Sequence, residues 1–411
     1  MTKRNDPRTV AARKGIAADT AFGAVTPPIH LSTTYSFAGF ERARAHDYSR
    51  TSNPTRSLLA ETLAELEGGQ GAVVVSSGMA AVDLTFSQLK SYDLLIAPHD
   101  CYGGTHRLLS ARRDLKHFDV MFVDQGDAKQ LDEAFSASPT MVLIETPSNP
   151  LMRVVDIRAI TRRAREVGAK VAVDNTFLSP ALQRPLLLGA HYVIHSTTKY
   201  LNGHSDVVGG AVVCADKTDA ETLAAWANVV GVTGSAFDSY LTLRGVRTLF
   251  PRVKEQQATA LEIAKYLESC PTVARVHYPG LPSHEGHALA KQQQSGFGAM
   301  LSFELSGGVE AVRRFVESVR VFTLAESLGG VESLVAHPAT MTHAGMDANA
   351  RRAAGITDGL LRLSVGLEAP RDLIEDLEFA LTAPRLCRDA LCAKARPVSF
   401  VAVKRNWSRI C

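Results

Sequence analysis

"HYVIHSTTKYLNGHSD", residues 191–206, sets a short apolar run immediately before Ser196, Thr197, Thr198 and Lys199. A run of this kind reads as a buried strand, so the hydroxyls and the lysine fall where the strand leaves its sheet. Hydroxyls crowded beside a lysine suit a phosphate and a reactive amine. Alone, they are equally a solvated turn.

Similar runs recur on both sides: "GAVVVSSGMAAV" (71–82), "DLLIAPHD" (93–100), "DVMFVD" (119–124), "TMVLIETPSNP" (140–150), "KVAVDNT" (170–176) and "GGAVVCAD" (209–216). Helix-length segments separate them. Continuous β-branched runs so spaced predict an α/β fold, with a largely parallel sheet covered by helices on both faces. Upstream, Leu58, Leu59, Leu63 and Leu66 repeat at helical spacing until Gly68 and Gly69 end the pattern. Residues 1–57, rich in Thr, Ser, Pro and Arg, read as an extended arm. Residues 58–255 form the large domain. A long helical region over 236–270, broken near Gly245 and Pro251, leads into a smaller α+β domain over 256–384.

Composition narrows the function classes. The 411 residues are 45% hydrophobic and 21% charged, an ordinary globular balance. No apolar run is long enough to cross a bilayer, and no apolar segment follows the charged N-terminus as in a secretory signal. The expectation is a cytoplasmic protein without a membrane partner. The cysteines at 101, 214, 270, 387, 392 and 411 lack paired spacing, which argues against a disulfide framework or zinc site. The formal charge of +3 hides an asymmetry, because residues 385–411 hold seven Lys/Arg against one Asp. The body is mildly acidic and offers no patch for nucleic acid. The basic tail, with Trp407 among cations, superficially resembles a stacking platform; the reading preferred is a disordered or foreign extension.

Three local features carry chemistry. In "AVVVSSGMAAV" a strand ends at Ser76 and Ser77, Gly78 permits a tight turn, and a helix starts at Met79. Unpaired amides at a helix N-terminus bind phosphate, although alone the motif reads as a plain strand–helix turn. Asp174 ends the apolar run of "KVAVDNTF", at the strand edge where open α/β sheets place their ligand crevice. It suits a protonated heterocyclic nitrogen or, more plainly, a helix cap. Lys199 lies beyond the next strand, where partial burial would make its amine nucleophilic. Ser196 and Thr198 offer hydroxyls to the same phosphate. Phosphate cup, strand-end acid and strand-end lysine together specify pyridoxal 5′-phosphate.

The chain resembles the Cys/Met-metabolism family of fold-type I pyridoxal-phosphate enzymes over roughly residues 8–384. "YSRTSNPTR", "CYGGTHRL", "ETPSNPL", "DNTFLSP", "HSTTKYLNGHSD", "FTLAESLGGVESL" and "LRLSVGLE" carry the likeness in order. The resemblance implies a mostly parallel seven-stranded sheet sandwiched by helices. It also implies that Lys199 bears the cofactor, Asp174 meets the ring nitrogen, and Tyr102 stacks on the ring and assists proton transfer. Ser77, Gly78, Met79, Ser196 and Thr198 would form the phosphate cup. Tyr48 and Arg50 would reach the phosphate of a neighbouring subunit, in a homotetramer built as a dimer of dimers. Arg362 would grip the substrate α-carboxylate beside Asn149 and Ser327, an arginine suiting that bidentate task. Arg107 would meet the distal substrate group.

"APHDCYGG", "GVTGSAFDSYL", "GFGAMLSFEL" and "MTHAGM" resemble the γ-synthase branch. The expected activity is γ-replacement of O-succinylhomoserine by L-cysteine, giving L-cystathionine. A cystathionine γ-lyase is the alternative; a β-lyase is third, because Glu326 in "AESLGG" resembles the γ-acting branches. His195, His204 and Asp206 have no spacing that fixes a metal geometry, and Cys101 reads as a small buried thiol. His106 carries no expected catalytic role.

Overall fold

A computed structural model describes residues 5–344, 346 and 348–383. The seven-stranded sheet contains β1 (Gly71–Val75), β2 (Leu94–Pro98), β3 (Asp119–Val123), β4 (Met141–Glu145), β5 (Lys170–Asp174), β6 (Tyr192–Ser196) and β7 (Gly210–Cys214). Their order is β1-β7-β6-β5-β4-β2-β3. All neighbours are parallel except β7, which runs antiparallel to both β1 and β6. Consecutive residues fall into different cores: Val74, Val193 and Val213 pack on one face, Val75, Ile194 and Val212 on the other. Burial of both faces explains why these strands lack polar alternation.

The helices that cover the sheet also aim its edge. α1 (Pro7–Arg13) and α2 (Pro54–Glu67) lie before β1, and α3 (Gly78–Phe86) follows it. α4 (Gly103–Asp114) follows β2. Because β1, β2, β4, β5 and β6 point the same way, Ser77, Asp100, Glu145, Asp174 and Ser196 gather at one edge.

A five-stranded sheet follows: β8 (Val273–His277), β9 (Met300–Leu305), β10 (Thr323–Leu324), β11 (Leu334–Ala336) and β12 (Leu360–Ser364), in the order β10-β11-β12-β9-β8. The helix Leu249–Ser269 packs on β8 and β9. One continuous core joins Leu59 and Leu63 of α2 to Phe303 and Leu363 of this sheet.

Two details differ from the sequence expectation. The arm is not wholly extended, since Asp6 caps α1 and accepts the Arg8 N–H at 2.9 Å. α2 begins at Pro54, before the leucine pattern, because Asn53 caps it by accepting the Thr55 and Arg56 N–H groups. The long helical region does break near Gly245 and Pro251, between Val246 and Leu249, with Pro251 inside the next helix's first turn, where no N–H partner is lost. Gly245 has another purpose: a Cβ there would lie 2.1 Å from the Asn202 carbonyl, so the helix can approach the loop after Lys199 only through glycine.

Much of the arm beyond α1 is uncovered. Phe22 and Phe40 are 93% and 91% exposed. Among the described residues no helix is long and apolar enough to span a membrane. The tail on which the nucleic-acid reading rested lies outside the described residues.

Candidate active site

The cup forms where β1 and β6 end on either side of Gly210, the start of β7. Ser77 caps α3 through its hydroxyl, which accepts the Ala80 N–H at 3.1 Å. A Cβ on Gly78 would come within 2.7 Å of Ser196 Cβ, and one on Gly210 within 2.1 Å of the Ser77 carbonyl. Only glycine permits these approaches, so the first amides of α3 and the Ser196 hydroxyl line one cradle. A nine-residue helix presenting unpaired N–H groups beside a hydroxyl has the donor set for a phosphate. Thr198 is partly engaged elsewhere: its hydroxyl accepts the Gly209 N–H at 3.0 Å and donates to the Gly209 carbonyl at 3.2 Å.

Asp174 is held by the Thr176 N–H at 3.0 Å. Burial raises its carboxyl above the ordinary range, and no ion pair offsets that among the described residues. A partly buried acid in this state fits a cationic ring nitrogen. The Lys199 amine donates to Ser327 Oγ at 2.7 Å. Burial, then Arg362, lowers it to about 8, while Glu326 opposes the shift. Tyr102 precedes α4, and its ring turns back across the helix start. A Cβ on Gly104 would meet Tyr102 Cε1 at 2.5 Å and Met79 Sδ at 2.9 Å, which puts ring and cup on one patch.

A second group converges from the other sheet. Arg362, on β12 and only 2% exposed, donates to Asn149 Oδ1 at 3.0 Å and to the Ser327 carbonyl at 3.0 Å. Its buried Nε has no partner among the described residues. Burial lowers it to about 10, leaving it cationic at neutral pH. Ser327 has φ of 90°, a left-handed conformation that costs a non-glycine residue energy and turns both its carbonyl and hydroxyl toward the site. Lys199, Ser327, Arg362 and Asn149 are therefore one connected cluster.

Other sequence candidates lie apart. Tyr48 and Arg50 are exposed on the arm, with the guanidinium 5.8 Å from the tyrosine ring centre, and no bond links either side chain to Lys199. Arg107 is exposed on α4 and Glu326 is exposed beside Ser327. His195 pairs with buried Glu67 at 2.8 Å, His204 with the Asn202 carbonyl and Asp206 with the Asn202 amide. Cys101 is fully buried, and burial pushes its thiol well up, away from a nucleophile's range.

Sequence reasoning missed two buried residues. Glu145 ends β4 and accepts N–H bonds from Tyr102 at 2.9 Å and Asn149 at 3.1 Å. Its signal was present, since "MVLIE" ends in an acid as "KVAVD" does, and the two are paired in register. His343 lies in "MTHAGM"; burial, then Arg362, lowers it to about 4, so it is neutral at pH 7. Nothing local distinguished it from a surface histidine.

A phosphate cradle, a half-buried strand-end acid in no ion pair among the described residues and a lysine with a lowered pKa, at the edge of one mostly parallel sheet, define the α/β enzymes that hold pyridoxal 5′-phosphate. The chain belongs to the Cys/Met metabolism PLP-dependent enzyme family, whose pattern matches residues 8–382. It is 58% identical to cystathionine gamma-synthase of Escherichia coli K12 over 384 residues, 93% of this chain and 99% of that protein. It is also 45% identical to cystathionine beta-lyase of Lactococcus lactis subsp. cremoris, over 91% of this chain and 98% of the relative. The crystal structure of cystathionine gamma synthase from Xanthomonas oryzae pv. oryzae in complex with cystathionine superposes with a TM-score of 0.91 at 56% identity, covering 92% of this chain and 98% of that one.

Proposed function

We propose that this chain catalyses γ-replacement: L-cysteine displaces the acyl group of O-succinylhomoserine, giving L-cystathionine and succinate. The new bond joins the cysteine sulfur to Cγ, and the breaking C–O bond leaves its electron pair on the departing carboxylate. The observation that carries the reading is the Lys199–Ser327–Arg362–Asn149 cluster, in a chain 58% identical to a cystathionine gamma-synthase across almost its whole length.

Bound pyridoxal 5′-phosphate supplies the sink for electrons released at the substrate Cα. Ser77, Gly78, Met79, Ser196 and Thr198 hold its phosphate, Asp174 its ring nitrogen and Tyr102 its ring face. Arg362 takes the substrate α-carboxylate with Asn149 beside it, a planar fork meeting two oxygens. Lys199 carries the cofactor and moves the Cα proton, and an amine near 8 releases and regains a proton readily at neutral pH. Ser327 positions that amine, and Glu326 with Arg107 lies toward the substrate's far end.

Arg50 and Tyr48 serve a neighbouring subunit's phosphate, which accounts for an arm with Phe22 and Phe40 uncovered in the single chain. The active unit is then a dimer, and two dimers form the tetramer. The division is an arm to residue 57, a cofactor domain over 58–255 and a small domain over 256–384. Cys101 and Cys214, buried and unpaired, suit the reducing cytoplasm.

Lyases among the relatives keep γ- and β-elimination as rivals. Steady-state rates of cystathionine formation from O-succinylhomoserine and cysteine, against cystathionine breakdown by the same preparation, test the assignment. Faster breakdown at matched saturation would make the chain a lyase.

A further inference from the structure

Glu145 is a buried carboxyl group with no ion pair among the described residues, and burial, then neighbouring Asp174, raises it well above the ordinary carboxylate range. Such a group is costly unless its oxygens are answered. Here each oxygen has a backbone donor: Oε2 accepts the Tyr102 N–H at 2.9 Å, and Oε1 the Asn149 N–H at 3.1 Å. The first bond has a local reason. α4 starts directly after Tyr102, whose side chain makes no capping bond. Glu145 answers the N-cap amide from a neighbouring strand, as the glutamate of a capping box does from within the helix. The second bond holds the turn after β4, whose Asn149 accepts from Arg362 at 3.0 Å.

Tyr102 and Asn149 stand on different loops, after β2 and after β4. One carboxylate ties both backbones, and its own backbone is fixed in the sheet by register pairing with Asp174. We propose that Glu145 is a positioning residue that sets the spacing between Tyr102 and the Asn149–Arg362 pair, and with it the spacing between cofactor ring and substrate carboxylate. This rests on the roles of Tyr102 and Arg362 proposed above. Glutamine has the size of glutamate but one acceptor oxygen, and its amide N–H₂ would face a backbone N–H. Glu145→Gln must therefore release one of the two loops.

The test uses the cofactor-loaded full chain. Glu145→Gln is compared with the unaltered protein in visible circular dichroism per bound cofactor, in KM and kcat for O-succinylhomoserine, and in thermal unfolding of the cofactor-free form. The expected result is a KM raised roughly tenfold or more, kcat reduced less, and a weakened dichroism band at full loading. Where Glu145→Gln does not fold, Glu145→Asp, which keeps the carboxyl group and loses one methylene of reach, is read in the same way and should weaken the band and raise KM. Unchanged KM and dichroism in a folded variant overturn the proposal, even where thermal stability falls, because Glu145 would then be only a helix cap. The dichroism needs no turnover, so a failure of the assigned reaction is seen separately, as inactivity of the unaltered protein.

Discussion

The Lys199 amine donates to Ser327 Oγ at 2.7 Å, although 128 residues separate them. The serine belongs to the same strained turn whose carbonyl receives Arg362, so one turn orients both the amine and the arginine proposed to take the substrate carboxylate. Burial, then the Arg362 charge, lowers the amine to about 8. A lowered lysine pKa favours the neutral nucleophile, which is present above that value and lost below it. Cofactor capture by the apo-protein, followed by visible absorbance, should therefore accelerate as pH rises through about 8 and then level. Arg362→Gln removes a neighbouring positive charge and should move that midpoint to higher pH. A rate flat across about pH 6.5–9.5 contradicts the assignment. Lys199→Ala should lose both the covalent cofactor band and turnover; near-normal activity in that variant would overturn the site.

Arg50 and Tyr48 stand exposed and unattached to the Lys199 cluster of their own chain. An arginine reaching a phosphate makes a strong charge-assisted contact, and the partner chain's phosphate is the one proposed. Arg50→Ala and Lys199→Ala should each be inactive alone. Mixed under subunit exchange, they should regain activity, because a hybrid dimer contains one site with both residues intact. Proven hybrid dimers with no recovered activity would put Arg50 at its own chain's site.

His343 provides a stability test. Burial, then the Arg362 charge, lowers its pKa from 6.5 to about 4 in the folded protein. The unfolded chain takes up this proton near 6.5, whereas the folded chain does not until about 4. Falling pH across that window therefore favours unfolding, and the stability contributed by neutral His343 is complete only above it. His343→Gln should show a shallower loss of apparent Tm between those pH values than the unaltered protein. His284, also lowered to about 4, adds a loss common to both, so the difference between the curves is the readout. Parallel curves would show that His343 is not the linked group.

What the sequence disclosed follows from the range of the forces involved. β4 and β7 are buried at every position, so their apolar runs announced a doubly covered sheet, and the like runs of β5 and β6 placed Asp174 at a strand end and Lys199 just beyond one. The partners could not be placed. Arg362 reaches Asn149 across 213 residues and Glu145 reaches Tyr102 across 43, contacts set by how sheets and loops meet rather than by periodicity. For Arg362 and Asn149 only the family resemblance supplied a role. Glu145 shows the limit from the other side: its position resembled that of Asp174, but a strand-end acid says nothing of which backbone amides will face it. Thr198 is similar, because the claim of Gly209 on its hydroxyl appears only once β7 is seen beside β6.

The role proposed for Arg107 is in the choice of acyl donor. O-Succinylhomoserine has two carboxylates, one on Cα and one at the end of the acyl arm. Arg362, buried and already turned toward Asn149 and Ser327, is the residue proposed for the first. The second needs another cation toward the open side of the site. Arg107 lies on α4, five residues beyond Tyr102, exposed and in no ion pair among the described residues. An exposed guanidinium is screened by water, so its pairing with a carboxylate is weaker than that of a buried one. Arg107→Ala should lower kcat/KM for the succinyl ester by roughly tenfold, with that loss shrinking as salt rises. The acetyl ester has no distal charge and should lose much less. The comparison is internal, because both esters use the same cofactor, the same Arg362 and the same attacking cysteine. A general electrostatic or structural effect would lower both alike, and equal losses with the two esters would remove Arg107 from acyl recognition.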